Sequence, residues 1–374
     1  HGCLVGSEMC IRDSLFTYGY SLNTWKESGT LNREVLFYKK LAEEKDIQFT
    51  FFTFGNKNDL LIDLQSKNIE VVPIYELITK SRNKYLNIIK SLYIPFKLRK
   101  YFSSIDLIKQ NQLQGAWIAI ILKLLTGLPL FTRTGYDVFK FSIHEKKGFI
   151  KIFFYFLLTQ IALAFSNLYT VSNKTELDYL KKRFLFSKNI LHRPNWIADS
   201  EIVDINKRSK HEIISVGRLE KQKNYEELIN LFEDSKFVIN IVGSGSKKDK
   251  LVELAKQKNI KVNFLGRLEN EDLQKVYDKY LFFVSTSKFE GNPKSVLEAM
   301  SKGCIVIASN IENHRELITN EENGYLIPDN CNSISSFINS LLQNEKKLSD
   351  VSLNSREYVI CLLYTSDAAD EWIG

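Results

Sequence analysis

Short apolar runs alternate along the chain with longer stretches whose apolar positions recur at helical spacing, which predicts α/β architecture with parallel sheets. In the first half the predicted strands are LFTYGYSL (15–22), DIQFTFFTF (46–54), IEVVPI (69–74), IDLIKQ (105–110), LPLFTR (128–133) and NLYTVS (167–172). Helical patterns lie between them, notably Leu31 to Glu44, Ala116 to Leu125 and Lys174 to Arg183. The pattern lapses over HRPNWIADSEIVDINKRSKHE (192–212), a polar segment containing Pro194. A second series follows: EIISVG (212–217), FVINIVG (237–243), VNFLG (262–266), LFFVSTS (281–287), CIVIAS (304–309) and GYLIP (324–328). Two α/β units joined near residue 195 are therefore expected. The 374 residues fit two domains at ~100–200 each.

With 44% apolar and 25% charged residues, 17 Gly and 6 Pro, disordered, collagen-like and disulfide-framework chains are excluded. The ends, HGCLVGSEMCIRDS (1–14) and CLLYTSDAADEWIG (361–374), resemble translated sequencing-library adapters carried on a metagenomic read. Both are set aside from fold reasoning, leaving domains of 15–195 and 196–360. Weakened closure and poor activity are expected of the chain as written. Only Cys304 and Cys331 then remain, too few for a disulfide framework and without metal-ligand spacing, so a reducing cytosol fits. No charged-then-apolar leader is visible.

The net charge of +7 is unevenly distributed. Residues 15–200 carry 27 Lys and Arg against 15 Asp and Glu, whereas residues 201–360 carry 23 against 24. The excess is densest from Lys80 to Lys100, where seven basic residues meet no acid. Leu86, Ile88, Ile89, Leu92, Tyr93, Ile94, Phe96 and Leu98 form one side of a basic amphipathic helix up to Pro95. Such a helix either packs on the core with a solvated basic face or meets anionic lipid headgroups, each cation contributing roughly 1 kcal/mol. A second apolar stretch, Ile152 to Phe165, reaches only about 21 Å at ~1.5 Å per residue, short of a ~30 Å hydrocarbon core. A buried or interfacial helix is expected there. The basic residues match no nucleic-acid module, so nucleic acid is not an expected partner.

Four strand-end loops of the second half carry chemical content, and in doubly wound sheets ligands bind beyond the carboxyl ends of strands. In Ser215-Val-Gly-Arg-Leu-Glu-Lys-Gln-Lys223, Gly217 permits a tight turn, and Arg218 and Lys223 suit either a diphosphate at a helix N-terminus or solvent. Val242-Gly-Ser-Gly-Ser246 is half a dinucleotide fingerprint, with Lys248 where the third glycine belongs. Arg267, ending Leu265-Gly-Arg, faces a nucleobase or solvent. In Phe289-Glu-Gly-Asn-Pro-Lys-Ser-Val-Leu-Glu-Ala-Met300, Pro293 suits the first turn of a helix, which aims the N–H groups around Lys294 and Ser295 at a bound anion. Glu298 sits among Val296, Leu297, Ala299 and Met300. It requires donors such as sugar hydroxyls if buried, or else occupies the wet face of the helix.

The succession VGRLEKQKN, VGSGS, FLGR, EGNPKSVLEAMSKG, IASNIENHRELI and NGYLIP resembles the retaining glycosyltransferases of family 4, glycosyl transferases group 1, over roughly residues 15–360. The resemblance implies the GT-B fold, with two doubly wound Rossmann-like domains facing across a cleft, the first on the acceptor side and the second binding the donor. It implies that Arg218 and Lys223 bind the donor diphosphate, Glu298 the ribose and Glu290 the transferred sugar, and that Arg267 borders the base. Gly245, Gly291, Asn292, Lys294 and Ser295 would line the donor site, although Asn292-Pro293 replaces the Phe-Gly pair of many relatives. In the first half, Gly29 in Trp25-Lys-Glu-Ser-Gly-Thr30 is the candidate glycine near the phosphates. Arg133 and Asp137 are assigned to the cleft, Asp137 with a catalytic role; His144 is expected to be solvated.

No D-x-D triplet occurs, and neither metal nor cofactor is expected: cations and helix N–H groups would stabilise the departing nucleoside diphosphate of a UDP- or GDP-sugar. The expected activity is hexosyl transfer, with retention, to a bacterial surface-glycan or lipid-linked acceptor. The enzyme would be cytoplasmic or peripheral on the inner membrane face, its 80–100 segment meeting anionic lipid. A non-catalytic nucleotide- or glycan-binding protein and a nicotinamide-dependent oxidoreductase using VGSGS are the alternatives.

Overall fold

The computed structural model describes residues 10–197, 203–328 and 331–370. It divides into two compact units between Arg193 and Pro194. The first unit is built on a seven-stranded parallel sheet of order β3-β2-β1-β4-β5-β6-β7. Its strands are β1 (Cys10–Leu15), β2 (Ile47–Thr53), β3 (Ile69–Pro73), β4 (Leu107–Asn111), β5 (Leu130–Thr134), β6 (Leu168–Val171) and β7 (Ile190–His192). The connections from β1 to β3 carry α1 (Leu22–Glu27), α2 (Leu31–Lys45) and α3 (Lys57–Leu60). From β3 onward they carry α4 (Ile74–Leu77), α5 (Lys84–Ser91), α6 (Ile94–Leu98), α7 (Ala116–Thr126), α8 (Val138–His144), α9 (Phe149–Phe165) and α10 (Lys174–Arg183). Right-handed crossovers put these two groups on opposite faces, because strand order runs one way from β1 to β3 and the other way from β4 to β7. Strand β2 is buried on both faces, Phe49, Phe51 and Phe52 included, as a sheet covered on both sides demands.

The first strand departs from the predicted 15–22. It is Cys10–Leu15, in register with β2 and β4, so it takes in part of the stretch set aside as adapter; residues 1–9 and 371–374 lie outside the described residues. The apolar TYGYS that follows is a turn, Tyr20 N–H donating to Thr17 C=O, and it leads to Ser21, whose hydroxyl caps α1. Residues 80–100 also differ from one continuous helix. The chain breaks at Leu92–Tyr93, and Pro95 occupies the first turn of α6, where a missing N–H costs nothing. The apolar side of α5 is not core: Leu86, Ile88, Ile89 and Leu92 are exposed, whereas Ile94 and Leu98 of α6 are buried. Strand β7 went unpredicted: its last residue, His192, opens the segment where the apolar pattern lapses.

The second unit has a six-stranded parallel sheet of order β10-β9-β8-β11-β12-β13. In chain order its elements are β8 (Ser209–Val216), α11 (Tyr225–Asn230), β9 (Val238–Val242), α12 (Lys248–Gln257), β10 (Lys261–Gly266), α13 (Asn270–Tyr277) and β11 (Tyr280–Ser285). They continue with α14 (Lys294–Ser301), β12 (Ile305–Ser309), α15 (Glu312–Arg315), β13 (Tyr325–Ile327), α16 (Ile334–Leu341) and α17 (Glu345–Asp370). Ile213, Ile239, Ile241, Phe282, Val284, Ile305 and Ile307 fill the interior from the strands. Helix α17 lies on this unit, Ser352 Oγ donating to Gly303 C=O and Tyr358 OH to Glu316 C=O. The fold is thus α/β with two Rossmann-like domains.

Candidate functional site

In the second sheet the strand order reverses between β8 and β11, and such a switch point leaves a crevice beyond the carboxyl ends of the strands. The loops after β8, β9, β10 and β11 all emerge at that edge, and hydrogen bonds knit them together. Gly217 N–H donates to Val242 C=O, Leu219 N–H to Ser244 C=O, Gly243 N–H to Gly266 C=O, and Lys288 N–H to Gln222 C=O. The two glycines of VGSGS are explained by this contact. A Cβ on Gly243 would lie 1.9 Å from the Gly217 carbonyl oxygen, and one on Gly245 would lie 2.5 Å from that of Leu219. Gly243 also has a φ of +144°, open to glycine. Loop-to-loop packing requires both glycines of the motif.

At the switch point Lys223 Nζ and Glu290 Oε1 form an ion pair of 2.7 Å, with side chains 16% and 8% exposed. Gln222 Nε2 donates to the other carboxylate oxygen of Glu290 at 3.3 Å and to Phe289 C=O at 3.0 Å. Arg218 is exposed, its Nη2 3.5 Å from Gln222 Oε1, so the predicted cations and Glu290 form one chain through Gln222. Arg267 is also exposed, and its Nε donates to Ser244 Oγ at 2.7 Å.

Helix α14 starts one residue later than predicted. Pro293 is its N-cap residue and Lys294 N–H donates to Asn292 C=O, so that N–H is engaged within the loop, while Ser295 stands in the first turn. Asn313 Nδ2 donates to Gly291 C=O at 2.7 Å and holds the loop from below. The wet-face position for Glu298 is overturned: the residue is 2% exposed, on the inner face of α14, and accepts from Tyr277 OH at 3.3 Å.

Two residues of this site escaped the sequence reading. Tyr277 is one. The other is His314, wholly buried, with its Nδ1 donating to Ser309 C=O at 2.8 Å and its Nε2 without a protein partner among the described residues. Burial holds its pKa below the ordinary histidine value, with the charges of Glu290 and Lys223 acting on it in opposite directions, so the ring is neutral near pH 7. A cavity of about 280 Å³ is lined by Asn224, Thr286, Lys288, Ser309, Pro328 and Cys331.

In the first unit the reading of residues 25–30 as a loop is corrected. Trp25 to Glu27 belong to α1, and Gly29, with φ +68°, ends that helix in the left-handed conformation. The turn directly beyond β1 contains Gly19 instead, φ +83° with open space around it. Asp137 caps α8, its Oδ1 accepting from Phe139 N–H and Lys140 N–H, and its Oδ2 is buried without a partner among the described residues. Arg133 lies on β5, and His144 is exposed at the end of α8.

Burial pushes the Asp137 carboxyl up to about 6, against two backbone N–H groups and Lys140, which lower it. Glu176, fully buried nearby on α10, is raised too, by burial first and then by the charge of Asp137. A carboxyl raised in the fold contributes stability that is complete below its unfolded value near ~4 and is lost as pH rises through about 6, up to roughly 3 kcal/mol. Asp137→Asn keeps a capping oxygen and removes the charge. It is expected to raise the melting temperature at about pH 7.5 and to leave it unchanged at about pH 4. An equal shift at both pH values would refute this assignment.

Residues 199–358 match the sequence family described as "Glycosyl transferases group 1". Among curated proteins the chain is 29% identical over 294 residues to the UDP-Gal:alpha-D-GlcNAc-diphosphoundecaprenol alpha-1,3-galactosyltransferase of Escherichia coli, covering 72% of this chain and 73% of that protein. It is 27% identical over 209 residues to the poly(ribitol-phosphate) alpha-N-acetylglucosaminyltransferase of Staphylococcus aureus (strain COL), 55% of this chain but only 39% of that protein. Among solved structures, Anabaena Alr3699/HepE in complex with UDP and glucose superposes with a TM-score of 0.73 at 15% identity, over 98% of this chain and 99% of that one. The structural likeness shows the fold. The sequence comparisons show that residues 199–358 are similar to group 1 glycosyltransferases.

Proposed function

We propose that the protein transfers a hexose-type sugar from a UDP- or GDP-sugar to a bacterial surface-glycan or lipid-linked acceptor, with retention at the anomeric carbon. The Lys223–Glu290 ion pair at the switch point of the second sheet supports this reading, in which Lys223 serves the diphosphate and Glu290 the sugar. Departure of the nucleoside diphosphate builds negative charge on its phosphates. Preorganised cations and helix N–H groups stabilise that charge more in the transition state than in the ground state. Lys223, Arg218 and the Ser295 N–H supply them, the buried Glu298 accepts the ribose hydroxyls, Arg267 borders the base, and Asp137 serves the acceptor side. UDP is favoured by two named similarities, the UDP and glucose held by Alr3699/HepE and the UDP-Gal donor of the Escherichia coli relative.

On this reading residues 196–360 bind the donor and residues 15–195 the acceptor, close to the inner membrane face, with the 80–100 segment against anionic lipid. The terminal stretches are adapter-derived. A panel of UDP- and GDP-sugars tested for binding by thermal shift and for hydrolysis or transfer checks the proposal. A UDP-hexose is expected to stabilise the protein and to be turned over; no response to any member of the panel would overturn it.

A further inference from the structure

The exposed large apolar side chains are concentrated in one place. Among the described residues, eighteen of twenty-five such side chains lie on the α5–α6 segment, α7, α8, α9 and the loop after α10. These elements follow β3, β4, β5 and β6 and therefore share one face of the first sheet. Direct contacts join them: Trp117 Nε1 on α7 donates to Ser91 Oγ on α5 at 2.9 Å, and Leu185 N–H donates to Gln160 Oε1 on α9 at 3.2 Å. The opposite helical layer exposes Leu60 and Leu61.

On α9 the exposed positions Phe149, Ile150, Phe153, Phe154, Leu157 and Ile161 form a stripe at helical spacing, while Tyr155, Leu158, Ala162 and Leu163 face the core. The helix carries one charge, Lys151, and is preceded by Lys146 and Lys147. Seventeen residues span about 25 Å, less than a ~30 Å hydrocarbon core. Among the described residues no helix is long and apolar enough to cross a membrane. An apolar stripe that cannot span, beside a segment with seven cations and no acid, matches the boundary between headgroups and acyl chains. A second copy of this chain is a poor occupant, because a two-fold interface would set the cations of the 80–100 segment against themselves.

We infer that this helix layer docks on an anionic phospholipid bilayer, with α9 lying in the membrane plane, its Phe and Ile stripe below the headgroups, and the cations of residues 80–100 among the phosphates. The inference deepens the lipid-linked-acceptor reading, on which it rests for the presence of a membrane. Its test is read without turnover.

The full chain is floated with phosphatidylcholine vesicles containing about 30% phosphatidylglycerol. Wild type is expected to float, less in vesicles of phosphatidylcholine alone, and to weaken severalfold without release as salt rises from about 0.1 to about 0.5 M. Phe153→Glu with Leu157→Glu is expected to lower partitioning by about tenfold or more. Ile150→Glu alone, at a position 85% exposed and so harmless to the fold, is expected to lower it severalfold. Leu60→Glu with Leu61→Glu on the opposite layer should leave it unchanged. Wild type that stays unbound, or an equal effect of the two pairs, would overturn the inference. So would a dimer in sedimentation that the α9 pair dissolves while nothing floats, which would assign the face to a second copy. A protein that floats yet binds no nucleotide-sugar would instead sink the donor reading alone.

Discussion

Replacing Lys223 with alanine is expected to lower kcat/KM for the nucleotide-sugar by about 10²–10³-fold, the usual cost of removing one preorganised donor from a developing anion. The same change leaves the largely buried Glu290 carboxylate with Gln222 Nε2 at 3.3 Å, a weak single partner. A stability loss of about 1–3 kcal/mol follows from the unpaired charge. Adding Glu290→Gln to the alanine variant separates the two effects. Neutralising the carboxylate should restore stability, measured by denaturant unfolding, but not turnover, because the cation proposed to face the phosphates is still missing. A double variant that regains both would show the pair to be structural, and a Lys223→Ala enzyme with unchanged kcat/KM would refute the role outright.

Gly243→Ala should be among the most destabilising single substitutions in the second unit. The new methyl would sit 1.9 Å from the Gly217 carbonyl oxygen and 2.9 Å from its carbonyl carbon, and both neighbours are backbone. They cannot retreat without breaking the Gly217-to-Val242 and Gly243-to-Gly266 hydrogen bonds that close the edges of β8, β9 and β10. A loss of about 4 kcal/mol or more is expected. At roughly 2–4 °C per kcal/mol for a domain of this size, the melting temperature of the unit should fall by about 8–16 °C. Gly19→Ala is a milder comparison: its φ of +83° lies close to the left-handed region and no atom lies within 4 Å, so only about 1 kcal/mol of backbone strain is expected. Equal shifts for the two variants would mean that backbone conformation, and not the close approach of two loops, fixes the glycine at 243.

Much of the architecture was legible because buried parallel strands write themselves as short apolar runs: residues 46–54, 237–243 and 304–309 fall on β2, β9 and β12 almost end to end. The four strand-end loops of the second unit were legible for the same reason, since a strand's carboxyl end is fixed once the strand is. What stayed hidden was tertiary. Whether Glu298 faces water or core depends on Tyr277, which arrives from a different helix 21 positions away. His314 lies in IASNIENHRELI, one of the segments of the resemblance, but nothing in the segment singled out the residue itself, because its environment is assembled by the Ser309 carbonyl and by burial. The first strand was misplaced because residues 10–14 had been set aside with the end of the chain, so the run beginning at Leu15 took their place, and the hydroxyl cap of Ser21 shows that this run is entering a helix. Exposure of the apolar side of α5 contradicts the usual inward direction of such a stripe, and periodicity alone cannot tell a core from a lipid surface.

Tyr277 has a consequence for how the site responds to local opening. Its ring lies in the interior against Phe283, its carbonyl accepts from Cys304 Sγ, and its hydroxyl meets the Glu298 carboxylate. The carboxylate is therefore pinned to the interior of the unit, whereas Arg218 and Lys223 are carried by the loop after β8. Amide hydrogen exchange should divide accordingly, with residues 296–300 exchanging only through global unfolding and residues 218–223 through cheaper local fraying. Bound nucleoside diphosphate should slow exchange in the loop far more than in the helix, because a loop can open without unfolding the core and a buried helix cannot.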